Sequence, residues 1–197
     1  CPMLVTPWIE GNTLLDYLEK NNLKQISTIS KEFLDMISQM EDNKIAHGDL
    51  QSRNIMIQKD LTIKLIDYDG MFIPELRNQT SKESGTRHYQ HPLRLKDKTK
   101  GGINIYDETM DRFSSIVIYL SLLVLSIKPI LYKKFHDDEN IIFRQKDFEF
   151  PDKSLLFKEI SRINNSNVRK LNSELIKYCK LKQINKIKTI DEILSIN

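Results

Sequence analysis

The sequence predicts a mainly α fold with short β-hairpins, an α+β class, on three observations. Apolar residues recur at helical intervals, as Ile29, Phe33, Met36, Ile37 and Met40, in a stretch that ends in the polar "EDNK". A second stretch, from about Asp111 to Ile127, is apolar all round, the mark of a helix surrounded by protein. Two β-branched runs, "NIMIQ" and "LTIKLID", are separated by "KD", a spacing suited to a hairpin.

The elements follow in order. "PMLVTPWIEG" reads as an apolar strand closed by a glycine turn, and "NTLLDYLEKN" as a short amphipathic helix that Asn12 or Thr13 can cap. A longer helix from Ile29 to Lys44 delivers the chain to His47, and the hairpin comes next. Between Gly70 and Gly102 the composition turns to Pro, Gly, Ser, Thr, Asn and Lys, which reads as a long surface segment rather than core. Such lengths are uncommon unless functional. The all-round apolar helix follows, then a charged, mostly helical remainder ending in "TIDEILSIN". There is no internal repeat, and the basic residues of the tail read as a solvated helix face.

Composition narrows the function classes. A chain of 197 residues suits one well-buried core. With 40% hydrophobic and 29% charged residues and a net charge of +3, it has the balance of an ordinary soluble protein, with no argument for nucleic acid or anionic membrane. Cys1 and Cys179 are its two cysteines, too few for a disulfide framework or a metal cluster, so a reducing, cytoplasmic setting is expected. The apolar run Ser114–Leu131 carries four serines, Lys128 and Pro129 and falls short of the roughly 20 residues that cross a bilayer. No basic and then apolar leader opens the chain, which starts on Cys1 as if cut from something longer.

The chemistry concentrates in "AHGDLQSRNIMI", Ala46 to Ile57. Alone, His47, Asp49 and Asn54 suit any polar turn entering a strand. Asp67, in "IKLIDYDG", changes that balance, because the hairpin returns it beside Asn54. An amide and a carboxylate oxygen together make a minimal set for Mg²⁺, a hard ion held by a few such oxygens plus substrate phosphates. Asp49 is then left to orient an attacking hydroxyl.

"HGDLQSRN", "IDYDG" and "SGTRHYQHP" together resemble the catalytic loop, metal-binding loop and activation-segment end of the protein-kinase-like superfamily. "MLVTPWIEGNTLLDYL" resembles a kinase's fifth strand, hinge and first C-lobe helix, and "DRFSSIVIYL" the buried central helix of that lobe. The "YDGMF" wording resembles a group of bacterial kinase-like domains. The resemblance implies the C-lobe of the kinase fold, with residues 1–11 as the last N-lobe strand and hinge and residues 12–197 as the helical lobe. Within that lobe it implies a catalytic loop at 47–54, a metal loop at 67–70 and an activation segment at 67–93.

Carried over by position, Asp49 matches the catalytic carboxylate, Asn54 a metal-holding amide, and Asp67 the carboxylate bridging metal and nucleotide phosphates. Tyr68 stands where a packing Phe usually sits. His47 matches a structural histidine stacked near it, and Asp111 the helix-borne Asp that hydrogen-bonds the catalytic-loop backbone; a plain helix N-cap is compatible with Asp111. Thr6 stands at the gatekeeper position, the backbone of Pro7, Trp8 and Ile9 at the hinge edge that meets adenine, and Met56 beneath the adenine. Met56 reads equally as strand core and Trp8 as a buried anchor. Gly85, Thr86, Tyr89 and Pro92 match the segment that receives a peptide, with Thr86 near Asp49.

The departures are specific. Gly48 replaces the Arg that pairs with a phosphorylated activation segment, which argues against activation through that residue. Gln51 occupies the Lys position of serine/threonine kinases, and Arg53 offers a substitute cation, as tyrosine kinases commonly do. Asp69 replaces a glycine of the metal loop and Leu93 a structural Glu. The Gly-rich loop, strand Lys and helix Glu would all precede Cys1, so this piece alone is expected to be inactive.

The resemblance thus implies phosphoryl transfer from ATP with Mg²⁺ to a protein hydroxyl, Ser/Thr favoured over Tyr. The implied partners are a protein substrate and the N-lobe of the same parent chain. A small-molecule kinase of the aminoglycoside or choline type shares "HGD", but the Gly-Thr-x-x-Tyr-x-x-Pro stretch argues against it. A pseudokinase or signalling scaffold would keep the lobe for docking alone.

Overall fold

The computed structural model describes residues 7–20, 23–77, 79–81, 84–96 and 105–195. Its strands β1 (Asn12–Thr13), β2 (Ile55–Ile57) and β3 (Ile63–Leu65) form one antiparallel sheet in the order β1-β2-β3. The helices are α1 (Leu14–Glu19), α2 (Ile26–Asp42), α3 (Arg112–Ile127), α4 (Ile130–Phe135), α5 (Gln145–Glu149), α6 (Leu155–Ser161), α7 (Ser166–Tyr178) and α8 (Ile190–Leu194). The class is therefore the mainly α one the sequence predicts.

Local rules account for the boundaries. Thr13 ends β1 and caps α1 at once, its hydroxyl accepting the Asp16 N–H at 3.1 Å. In α2 the buried side chains Ile26, Ile29, Ser30, Phe33 and Ile37 repeat at three- and four-residue steps, one stripe facing the core. Lys44, at φ 55°, breaks the helical path after Asp42. The β2–β3 register pairs Ile55 with Leu65 and Ile57 with Ile63. The strands are shorter than the β-branched runs, so Gln58 to Thr62, not "KD" alone, make the connection.

Helix α3 is buried on nearly every side, from Phe113 to Leu125, because α2, α7 and α8 pack around it. None of the helices among the described residues is long and apolar enough to cross a membrane. The sheet lies beside α1 and α2, so the loop joining α2 to β2 emerges next to the N-terminus of α3. That junction builds the site.

Two expectations need correction. Pro7 to Glu10 are not a strand in the described chain, and Trp8 is 91% exposed rather than a buried anchor; with no core face to cover it, the ring stands in solvent. The Gly70–Gly102 stretch is not all surface: Phe72, Tyr89, Gln90, His91 and Arg94 are buried. Phe72 pairs with Ala46 through hydrogen bonds of 3.0 and 2.8 Å, drawing the segment under the α2–β2 loop. Polar residues went inside because each found a partner there, which composition does not reveal.

Candidate active site

Three backbone constraints shape the loop from His47 to Asn54. Asp111, just before α3, turns its carboxylate away from its own helix and accepts the backbone N–H of both His47 and Gly48, the latter at 3.1 Å. It caps no N–H of α3, so the plain N-cap alternative falls away. Gly48 lies at φ 90°, and a Cβ there would run into the Gly70 carbonyl, so the position admits only glycine. Asn54 closes the loop with its N–H on the Gln51 carbonyl at 3.1 Å.

Burial pushes the Asp111 carboxyl up from its ordinary value, against the opposing pull of His47, Arg94 and the two loop N–H groups. The His47 ring is fully buried. Its Nε2 meets the Ile66 carbonyl at 2.8 Å, and its centroid lies 5.9 Å from that of Tyr68 in a tilted contact. Nδ1 is buried with no hydrogen-bond partner among the described residues.

Three residues converge on the half-buried Asp49 carboxylate. Oδ1 accepts the Thr86 N–H at 2.7 Å, and Oδ2 accepts the Thr86 hydroxyl at 3.2 Å, the Gln51 amide at 2.7 Å and, weakly, the Asn54 amide at 3.4 Å. Gly85, at φ 74°, makes the turn that brings Thr86 over. The carboxylate is thus oriented from both of its oxygens.

Asn54 also donates from Nδ2 to the Asp49 carbonyl at 2.9 Å, which leaves Oδ1 as its acceptor. Its own carbonyl accepts the Ile66 N–H at 3.0 Å, so Asp67 follows one residue beyond that rung. Asp67 is exposed and holds φ 66°, ψ 69°, a left-handed conformation uncommon outside glycine and found where the surroundings impose it. No hydrogen bond or ion pair to its carboxylate occurs among the described residues. These residues fit Mg²⁺: an amide oxygen and an uncommitted carboxylate from adjacent rungs, with no further protein ligand required when phosphates complete the shell. Among the described residues no cluster of three His, Cys, Asp or Glu side chains offers a competing cage.

Other candidates are placed differently. Arg53 is exposed, and its Nη2 reaches the Asp138 carbonyl at 3.4 Å rather than Asp49. The residue at Asp49 is instead Gln51, expected only as a missing Lys. Tyr89 is 1% exposed: its hydroxyl shares a 2.6 Å hydrogen bond with buried Ser52 and donates to the Glu139 carbonyl at 3.0 Å. Its side chain therefore lies beneath the segment, and burial drives its phenol well above the ordinary value. Met56 is half-buried in β2, opposite Thr13 and Lys64. Pro7 is exposed and Ile9 half-buried; Thr6 lies outside the described residues.

Sequence reasoning missed Arg94 altogether. It is 4% exposed, and its guanidinium reaches Gln90 Oε1 at 2.7 Å, the Met110 carbonyl at 3.0 Å and the Gly48 carbonyl at 3.4 Å. Burial pulls its pKa down, while Asp111, Asp49 and Asp107 act in the opposite sense. An arginine in a polar stretch carries no sign of burial.

Comparison with known proteins agrees with this architecture. "Probable serine/threonine-protein kinase mkcE" of Dictyostelium discoideum is 30% identical over 100 residues, 50% of this chain and 14% of the relative. "Serine/threonine-protein kinase CLA4" of Candida albicans is 26% identical over 127 residues, 61% of this chain and 12% of the relative. "Serine/threonine-protein kinase STY46" of Arabidopsis thaliana is 25% identical over 124 residues, 61% of this chain and 20% of the relative. The chain thus spans no more than a fifth of the length of these three. The pattern of the protein kinase domain matches residues 2–196, nearly the whole chain, and on that match the chain belongs to the protein kinase domain family.

Proposed function

We propose that the chain is the catalytic helical lobe of a protein kinase, with residues 1–11 the last N-lobe strand and hinge, and that the parent protein transfers the γ-phosphoryl of ATP to a protein hydroxyl. Serine or threonine is the favoured acceptor. The observation that carries this reading is the convergence of Thr86, Gln51 and Asn54 on the one carboxylate of Asp49. A carboxylate fixed at both oxygens has little rotational freedom left, so an acceptor hydroxyl beside it meets an oxygen already aimed.

Asp49 orients that hydroxyl and takes its proton. Asn54 Oδ1 and Asp67 hold Mg²⁺, which when bound offsets the charge of the nucleotide phosphates. Arg53 is the candidate cation for the transferring group once it releases the Asp138 carbonyl, and Gln51 holds Asp49 in the meantime. Thr86 presents both its N–H and its hydroxyl to Asp49, and that contact favours a serine/threonine substrate lying along the same segment.

The test separates binding from turnover in the full-length gene product. Titration calorimetry with Mg-ATP and a casein phosphorylation assay are run on wild type, Asp67→Ala and Asp49→Ala. Asp67→Ala is expected to lose nucleotide binding. Asp49→Ala is expected to keep it and lose turnover, about 10²-fold or more on the scale of positioned acid–base groups. Turnover unchanged in both variants ends the reading, and partner binding without nucleotide would favour a scaffold.

A further inference from the structure

The catalytic carboxylate and the end of the activation segment are tied to one buried guanidinium that the proposed chemistry does not use. Arg94 donates through Nη1 to Gln90 Oε1 and to the Met110 carbonyl, and through Nη2 to the Gly48 carbonyl. Gly48 is the residue before Asp49, and Met110 the residue before Asp111. Arg94 thus spans the loop and the helix start that grips it.

The other end of the bracket is Gln90. Its side chain lies against Gly85, where an added Cβ would meet the Gln90 amide too closely to fit. Gly85 is the left-handed turn that sets Thr86 on Asp49. Gln90 therefore supports the turn from below, and Arg94 holds Gln90. Position 48 has no room for any side chain, so the bracing charge comes not from that position but from the segment.

We propose that Arg94 is a positioning residue for phosphoryl transfer: by bridging Gly48, Met110 and Gln90 it fixes the separation between Asp49 and the Gly85–Thr86 turn. This rests on the phosphotransfer reading above. The planar fork is essential to it, because one guanidinium reaches three acceptors in three directions, whereas a lysine ammonium on its flexible stem acts as a compact point charge. Displacing a reacting group by about an ångström costs on the order of a hundredfold in rate.

The experiment compares wild type, Arg94→Lys and Arg94→Met in the full-length gene product, with Arg112→Lys as control. Arg112 forms a comparable fork on Glu41 and the Ile187 carbonyl, away from Asp49. Steady-state kinetics on casein are read alongside Mg-ATP affinity and thermal unfolding. Arg94→Lys, which keeps the buried cation and folds, is expected to lower kcat about ten- to a hundredfold with KM for ATP and nucleotide affinity within about twofold of wild type. Arg94→Met is expected to lower kcat further, and Arg112→Lys to leave kcat unchanged while lowering the unfolding temperature. Combining Arg94→Lys with Thr86→Ala should cost little more than the worse single change, because both act through one contact. Wild-type turnover with kcat unchanged in Arg94→Lys, or a kcat loss equal to that of Arg112→Lys, overturns the proposal and leaves the phosphotransfer reading standing. A wild type without turnover overturns both.

Discussion

Replacing Asp111 by Asn changes one oxygen to an amide nitrogen and leaves the size of the side chain intact. The carboxylate accepts the backbone N–H of His47 and of Gly48 and is 5% exposed, so neither N–H has water as an alternative. A hydrogen bond to a charged acceptor contributes about 1.5–3 kcal/mol net, and a buried donor left unmatched costs about 1–3 kcal/mol. The amide keeps one acceptor, so one N–H loses its partner and meets an NH₂ group instead. The buried Arg94 also loses a compensating charge. Together these give about 3–5 kcal/mol of destabilisation, the scale seen when one member of a buried charged set is removed. For a chain of this size that lowers the unfolding temperature by about 6–20 °C, at roughly 2–4 °C per kcal/mol. Circular dichroism at 222 nm under urea and thermal unfolding measures it directly. Since Asp111 caps no N–H of α3, the loss cannot come from helix capping. A change below about 1 kcal/mol would refute the claim that this carboxylate holds the loop.

Two further consequences can be measured. Gly48→Ala forces a Cβ into a left-handed backbone, at about 1–2 kcal/mol, and against the Gly70 carbonyl; the metal loop must move, so Mg-ATP affinity by calorimetry should fall while α-helical content is retained. His91 is fully buried and neutral, with Nε2–H donating to the Tyr178 carbonyl at 2.8 Å and Nδ1 accepting the Leu93 N–H at 3.1 Å; burial holds its pKa below the ordinary 6.5, and His88 shifts in the same direction for the same reason. The unfolded chain gains a proton below about 6.5 that the folded ring refuses, so the urea midpoint should fall between pH 7 and pH 5 and His91→Gln should flatten that slope; a midpoint that rises on acidification contradicts the assignment.

What the sequence disclosed depended on whether a pattern is local. Helices α2 and α3 and the hairpin follow from apolar spacing, which depends on near neighbours alone, and each appears within a few residues of its expected ends. The loop residues Asp49 and Asn54 were legible as a group because one short stretch carries both. The interior of the Gly70–Gly102 stretch was not, because Tyr89 and Arg94 are buried on partners distant in sequence, Ser52 37 residues and Gly48 46 residues away. The same blindness turned Gln51 into an absence: read along the chain it replaces a Lys, whereas in space it binds Asp49. Arg53 shows the converse, an apt residue in sequence whose side chain points to Asp138.

Several departures from local rules meet at the site, and that grouping has a physical reason. Gly48, Asp67 and Gly85 take left-handed backbone, and Asp111 and Arg94 are charges buried beside them. Asp67 and the two buried charges are unfavourable alone: a left-handed non-glycine residue costs about 1–3 kcal/mol, and a buried charge more unless it is matched. They persist because α3 is packed on almost every side and anchors Asp111 at its start, so the loop is hung from a deeply buried helix. Stability draws on the apolar packing of α2, α3 and α7 and on the buried bonds onto Asp111, whereas the orientation of Asp49 rests on hydrogen bonds from Gln51, Asn54 and Thr86. Changes in the packing or at Asp111 should therefore alter how much protein is folded, and changes in the bonds onto Asp49 what each folded molecule can do.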